Sequence, residues 1–206
     1  MGQPEAGMQR AESLTPNEEE ALLRWARHAV TSALQSTPAA LNHAPQQGVL
    51  GRPGAVFVTL RGADGQLRGC IGTLTPKFGT VAEETWRMAR EAAFKDTRFS
   101  PVKAEELNGL RFEVSLLGAL EEVTDTAALD PERYGLVVST SDGRRGALLP
   151  GVDGVDTVGA QLSIARRKGG IGPSETIRMQ RFITTHMAER SDRPETDAGL
   201  ARPRGV

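Results

Sequence analysis

The segment Leu67–Gly72, which reads LRGCIG, combines residue types that could do chemistry. It contains Cys70, the one cysteine of the chain, and Arg68 two residues before it. If the segment is a strand, Arg68 and Cys70 lie on one face about 7 Å apart, because successive side chains alternate between faces. A nearby guanidinium favours the thiolate, which is the nucleophilic form of cysteine. Gly69 and Gly72 lack side chains, so a ligand or another backbone segment could approach them closely.

A structural interpretation of the same residues stays open. Free cysteine is among the most buried residue types and commonly packs as a small apolar side chain. On the alternating pattern, Leu67, Gly69 and Ile71 face the other side, where a glycine can mark a bulge or tight helix packing. No base partner for the thiol can be named, because the three histidines lie far apart in sequence without Cys–His or metal-ligand spacing: His28, His43 and His186.

Two further groups of residues could complete a site beside this segment. Asp96 and Arg98 follow a predicted helix, where they form either a local ion pair in a connector or the rim of a pocket. Glu113 and Ser115 share one face of a predicted strand, and that face meets either the same pocket or solvent. We therefore take Leu67 to Gly72, Asp96, Arg98 and Glu113 as the candidate binding residues, with Cys70 as the candidate catalytic residue.

The elements that must position these residues follow from capping, turn and periodicity signals. Asp64-Gly65 supplies turn chemistry between the strands 55–61 and 67–72, which predicts a hairpin. Capping-box spacings start helices at Thr15 and Thr80. Other predicted elements are a helical turn from Ser100 to Leu107, a strand 111–117, a helix start at Asp130-Pro131, a hairpin of 134–140 with 146–149, a helix ending at Lys168 before Gly169, and a strand 176–184. Helices and hairpins without repeating βαβ units predict an α+β fold with a mainly antiparallel sheet.

Composition limits the classes of protein to which this chain can belong. The chain has 206 residues, 38% of them hydrophobic, and a net charge of −1. This charge balance argues against a general nucleic-acid binder, which needs clustered positive charge. No stretch reaches the roughly 20 apolar residues that span a bilayer, and the N-terminus lacks a signal-peptide core, so we expect a cytoplasmic protein. The sequence contains no phosphate-binding loop, dinucleotide fingerprint or metal-ligand spacing, so no cofactor is predicted.

The domain is predicted to span residues 15–187. Residues 1–14 and 188–206 are polar segments with little to bury, so we expect disordered tails there. The Pro/Gly-rich connection 36–54 is long for a compact domain, and it is either a lid or an idle loop.

Several motifs occur in one order: FVTLRGADGQLRGCIGTLTP, AAFKDTRFSP, RFEVSLL, YGLVVSTSDGRRGALLPGV and ARRKGGI. In these motifs, from about residue 17 to 187, the chain resembles the AMMECR-one domain family, whose bacterial and archaeal members are called AmmeMemoRadiSam system protein A. The resemblance implies a main antiparallel sheet flanked by helices, with a smaller lobe. It also implies association with a Memo-like protein and a radical-SAM protein, and a functional LRGCIG hexapeptide. The chain departs from the family pattern after Pro150, at Gly151 and at 155–157.

Two functional hypotheses follow. In the first, the protein is a component of a modification system that acts on a small molecule or a partner protein. Arg68 recognises an anionic or polar group there, and Cys70 is either the nucleophile or part of the pocket lining. In the second, the hexapeptide is a surface of a non-catalytic interaction module and Cys70 packs inward.

Overall fold

The structure is a computed structural model that describes residues 14–37 and 41–190. Within these ranges, three α-helices accompany two antiparallel sheets of four strands each, with strand orders β2-β1-β3-β8 and β4-β7-β5-β6. The helices are α1 (Pro16–Leu34), α2 (Val81–Phe94) and α3 (Val158–Lys168). The strands are β1 (Val56–Arg61), β2 (Leu67–Gly72), β3 (Arg111–Leu117), β4 (Glu121–Val123), β5 (Gly135–Ser139), β6 (Arg145–Leu148), β7 (Arg178–Phe182) and β8 (Thr184–Ala188).

The predicted caps set the helix boundaries. At α1, the Thr15 hydroxyl accepts a hydrogen bond from the Glu18 N–H, and the Glu18 carboxylate accepts one from the Thr15 N–H, which is the full capping box. At α2, the Thr80 hydroxyl accepts from the Glu83 N–H at 3.1 Å. The last helix ends in three basic residues before Gly169, as predicted.

The first sheet forms the main core on one of its faces. Val56, Val58 and Leu60 alternate along β1 and are fully buried against α1 and α2. The period of two places Phe57, Thr59 and Arg61 on the opposite face.

The second sheet forms the smaller lobe. Leu136 and Val138 of β5 pack against Ala165 of α3 on one side of this sheet. On its other side, Val137 and Phe182 share a separate apolar cluster with Leu117 of β3 and with Ala55, which precedes β1. This cluster joins the two sheets, so the predicted α+β fold with a smaller second lobe is confirmed.

Three local predictions need correction. The helix start at Asp130-Pro131 is wrong, because Asp130 caps a turn at 131–133 and its carboxylate accepts from the Glu132 N–H. The helical turn from Ser100 to Leu107 is instead a 3-10 helix at Ala104–Gly109. The single strand 176–184 is two strands, since β7 and β8 belong to different sheets and meet at Ile183.

The domain boundaries extend slightly beyond the predicted limits. Leu14, which the sequence places in the N-terminal tail, is buried in the main core. At the other end, Ala188 closes β8, and Glu189 binds the Arg27 guanidinium and accepts from the Phe112 N–H at 2.9 Å. The rest of the predicted tails, 1–13 and 191–206, lie outside the described residues.

Part of the connection 36–54 is hydrogen-bonded to the helices, although residues 38–40 lie outside the described ranges. The Val49 N–H donates to Glu18 of α1 at 3.1 Å, and the Val81 N–H of α2 donates to the Arg52 carbonyl at 2.7 Å. These contacts anchor the second half of the connection against both helix starts.

Candidate functional site

A β-bulge shapes the hairpin that carries the candidate residues. Cys70 lies opposite Thr59 and Gly69 lies opposite Leu60, but Leu67 is the partner of Arg61, so Arg68 has no partner in the register. The simple alternation predicted for LRGCIG therefore ends at Arg68, because a bulge inserts one unpaired residue into a strand. The bulge thus breaks the regular alternation from which Arg68 and Cys70 were predicted to share one face of the strand.

Arg68 forms an ion pair with a glutamate instead. Its guanidinium binds both carboxylate oxygens of Glu106, with an Nε–Oε1 distance of 2.7 Å and a second contact of 3.1 Å. This hydrogen bond lowers the pKa of Glu106, and the Lys103 N–H, which also donates to that carboxylate, adds to the effect. Because its positive charge is neutralised in this way, Arg68 is poorly placed to recognise a ligand.

The glycines of the hexapeptide serve close packing within the protein. A Cβ atom on Gly69 would lie 2.2 Å from the Ala92 carbonyl oxygen of α2, so only glycine lets β2 approach the helix. A Cβ atom on Gly72 would lie 2.3 Å from the Phe57 ring on the neighbouring strand. Ile71 packs against the main core, and Leu67 remains 36% exposed.

Asp96 and Arg98 hold the backbone of Cys70. Asp96 accepts from the Cys70 N–H at 2.9 Å, and Arg98 donates to the Cys70 carbonyl at 3.3 Å. Arg98 also binds both oxygens of Asp96, at 2.9 and 2.7 Å. The Arg98 hydrogen bond, followed by that of the Cys70 N–H, lowers the pKa of the buried Asp96 carboxyl to about 2. Since β2 is an edge strand, this pair takes the place of a further strand at Cys70.

The Cys70 side chain lies on the face of the first sheet opposite α1 and α2. Cys70, Thr59 and Glu113 occupy one row across β2, β1 and β3, and we call this row and its flanking arginines, Arg61 and Arg111, the polar face. The Thr59 hydroxyl donates to the Cys70 sulfur at 3.2 Å.

Glu113 is an almost fully buried carboxylate on the polar face, with 6% exposure. One of its oxygens accepts from Arg61 at 2.9 Å and from Arg111 at 2.8 Å. Both arginine side chains are about a third exposed, at 36% and 37%. Two guanidiniums that share one carboxylate leave a net positive charge beside the Cys70 row.

Neither His186 nor His28 is placed to act as a base for Cys70. His186 contacts the Ser115 hydroxyl, with 3.1 Å between Oγ and Nδ1, but β8 lies three strands from β2, or about 14 Å at ordinary strand spacing. His28 packs against the rings of Trp25 and Trp86 on the helical side. Across the two described ranges, no group of three or more His, Cys, Asp or Glu residues is arranged to hold a metal ion.

The structure thus separates the predicted site residues into three groups. Cys70, Asp96 and Arg98 are in contact with one another, Glu113 lies two strands from Cys70 on the polar face, and Arg68 belongs to a separate ion pair. Thr59, Arg61 and Arg111 were missed by the sequence reasoning. The signal for Thr59 and Arg61 was available, because both alternate with the buried positions of β1.

These features define an α+β domain of two packed four-stranded sheets. Helices α1 and α2 cover the first sheet, and α3 covers the side of the second sheet that faces away from the first. The thiol of Cys70 lies on the polar face of the first sheet. The chain belongs to the AMMECR1 family, whose pattern it matches over residues 23–187. The fold is similar to the crystal structure of an uncharacterized protein from Pyrococcus horikoshii, with a TM-score of 0.75 and 30% identity over 83% of this chain and 91% of that one.

Relatives from bacteria and archaea share this domain without a described activity. A Thermotoga maritima protein is 46% identical over 62% of this chain and 72% of its own length. A Clostridium acetobutylicum protein is 42% identical, and an Aeropyrum pernix protein is 44% identical, but the matches span only 28% and 48% of those proteins. Among the described residues, no helix has the length and apolar content needed to cross a membrane.

Proposed function

We propose that this protein is a component of a modification system and that Cys70 is its reacting thiol. The observation that carries the proposal is the way the structure holds this residue. Asp96 and Arg98 bind its backbone N–H and carbonyl, while Thr59 directs a hydroxyl at its sulfur on the polar face. A rigid backbone and a hydrogen-bonded thiol are what a nucleophile needs to meet a substrate in one geometry.

The substrate we propose carries an anionic group that binds at Arg61 and Arg111. These two guanidiniums share the single carboxylate of Glu113 and keep part of their surface exposed. Arg61 lies two residues from Thr59 on the same strand face, so a bound anion would sit about 7 Å from the Cys70 row. This assignment replaces Arg68, whose charge is taken by Glu106.

The proposed partners are the Memo-like and radical-SAM proteins that the family resemblance implies. The bound group could belong to a small molecule or to a partner protein, because either would present it to the same arginines.

Alkylation kinetics test the thiol, because Cys70 is the one cysteine of the chain. We expect iodoacetamide to label the native protein at pH 6 faster than the urea-denatured protein. We also expect Thr59→Val to slow native labelling about fivefold, because the variant removes the hydroxyl donor to sulfur. Labelling that is slower in the native protein than in the denatured one would refute the reacting thiol and favour the non-catalytic interaction module.

A comparison of two reagents tests the anion site. Iodoacetate and iodoacetamide differ mainly in charge, so the ratio of their rates reports attraction of an anion to the polar face. We expect Arg61→Gln and Arg111→Gln to lower this ratio about threefold each, and the matched control Arg87→Gln, on exposed α2 surface, to leave it unchanged. A ratio that is equal in all four proteins would contradict anion binding there without affecting the thiol result.

A further inference from the structure

A groove of about 660 Å³ lies beside α3 on the smaller lobe, where the proposed function uses no residue. Its apolar lining comes from Leu162, Pro173 and the largely buried Ile171. The small residues Gly159 and Ser163 also line it. Its apolar side chains are aliphatic, Arg166 and Arg167 add charge, and none of the lining residues is aromatic.

The walls of the groove are fixed by polar contacts. Arg166 donates to the carbonyls of Gly172 and Glu175, at 2.5 and 3.1 Å, and so holds the segment after α3 against the helix. The Glu175 carboxylate accepts from the Gly172 N–H and binds Arg144 of the β5–β6 turn. Because these contacts exist before any ligand binds, little ordering of the groove is needed on association.

Positive charge lies at one end of the groove, in and next to the last turn of α3. Arg167 and Lys168 are exposed in the last turn of α3, and Arg145 of β6 is exposed next to Gly169, which ends that helix. None of these three makes an ion pair with another described residue, and the two acceptors of Arg166 are uncharged carbonyls. The nearby carboxylates Asp142 and Glu175 are both bound by Arg144. A chain of net charge −1 therefore has a concentrated cationic corner here.

We propose that this groove binds an acidic amphipathic segment of a partner protein. Apolar side chains of the segment would pack against Leu162 and Pro173, while its carboxylates would face Arg145, Arg167 and Lys168. An aliphatic groove with a cationic rim suits such a segment, which offers both kinds of group on adjacent faces. The absence of an aromatic residue from the lining disfavours single-stranded nucleic acid, which binds largely by base stacking. The proposal is independent of Cys70.

The test uses three fluorescein-labelled peptides of about 18 residues and the full chain. The first has Leu at helical spacing and Glu elsewhere, the second keeps the Leu pattern with Lys for Glu, and the third has Glu and Ala without Leu. We expect fluorescence anisotropy to show binding of the first peptide with a Kd on the order of 100 µM or below, and at least tenfold weaker binding of the other two.

Charge-reversal variants test whether the first peptide binds at this groove. We expect Arg167→Glu and Lys168→Glu to weaken binding of the first peptide about fivefold each, whereas the matched reversal Lys77→Glu, on the main lobe, leaves it unchanged. No binding of the first peptide at about 1 mM, or equal loss with Lys77→Glu, would overturn the proposal. Tighter binding of an oligo-dT strand that is also lost in Arg167→Glu would reassign the corner to nucleic acid.

Discussion

At the scale of single residues, most positions of the LRGCIG segment have an identifiable structural role. Gly69 and Gly72 accommodate α2 and Phe57, Ile71 joins the core, and Arg68 binds Glu106. Packing or pairing within the protein therefore accounts for most of the motif. Cys70 differs, since its backbone is held by side chains while its sulfur contacts only a hydroxyl on the polar face among the hydrogen bonds of the described residues. In the proposed function, the motif serves to position that thiol.

The role of Gly69 predicts a large stability cost for a single methyl group. In Gly69→Ala, the new Cβ would lie 2.2 Å from the Ala92 carbonyl oxygen, and helix backbone cannot move aside without disturbing the core. We expect a loss of about 2–4 kcal/mol in the free energy of unfolding, measured from the urea midpoint at constant m-value. Gly79→Ala is the control, because its Cβ would meet no atom within 4 Å. Equal stability of the two variants would show that β2 is not packed tightly on α2.

The Asp96 carboxyl predicts a pH dependence of stability. Its pKa falls from 3.8 to about 2 in the folded protein, mainly through Arg98, so the unfolded chain takes up the proton first. The stabilisation is complete above about pH 4 and is lost as the pH falls toward 2. We expect Asp96→Asn to cost about 1 kcal/mol at pH 6, after screening by solvent around Arg98, and the difference from the wild type to shrink below pH 4.

Urea unfolding between pH 6 and pH 2.5 measures this difference. Asp64→Asn provides the control, because Asp64 lies in an exposed turn and accepts only from the Gln66 N–H. Its stability difference from the wild type should not follow the same pH course. A difference for Asp96→Asn that stays constant across the range would mean that Arg98 does not depress the Asp96 pKa.

At the scale of elements, the connection between β2 and α2 is held by one buried carboxylate. Glu84, in the first turn of α2, is fully buried and accepts from the Thr73 hydroxyl and from the N–H groups of Lys77 and Phe78. Its carboxylate thus supplies acceptors to a segment that follows the Cys70 strand directly. Loss of this group would leave the donors without partners in a region from which water is largely excluded.

We expect Glu84→Ala to lower the free energy of unfolding by about 3 kcal/mol. Glu83→Ala is the matched control on the preceding residue, where an exposed pair with Arg87 contributes about 0.5 kcal/mol or less. Hydrogen exchange should also show lost protection of the Lys77 and Phe78 amides in Glu84→Ala alone. Retained protection of these two amides would contradict the anchoring role of Glu84.

The elements differ in how far they could be predicted from the sequence. The capping-box spacings at Thr15 and Thr80 and the Asp64-Gly65 turn are local signals, and the elements they predict are present. The bulge at Arg68 was missed because it arises from tertiary demands: β2 must approach α2 while Arg68 reaches Glu106. The polar face was found only in part, since Arg111 is brought opposite Arg61 by strand pairing between residues about 50 apart in sequence.

At the scale of the whole molecule, one apolar cluster couples the two sheets. Leu117 of β3 packs with Val137 and Phe182 of the second sheet, and Phe57, whose ring covers Gly72, packs against the same cluster. The strand that carries Cys70 is therefore connected to the smaller lobe through direct packing. Packing of this kind transmits a disturbance because protein interiors are dense and have few voids.

This coupling predicts how two leucine truncations differ. Leu117→Ala removes a side chain shared by both sheets, whereas Leu129→Ala removes one from the core of the smaller lobe alone. Both residues are under 10% exposed, at 8% and 7%, so we expect each truncation to cost about 2–4 kcal/mol. Hydrogen exchange should distinguish them. Leu117→Ala should reduce amide protection in both sheets and speed iodoacetamide labelling of Cys70, while Leu129→Ala should affect only the second sheet. Unchanged protection of the second sheet in Leu117→Ala would mean that the lobes open independently and that the smaller lobe has no influence on the thiol.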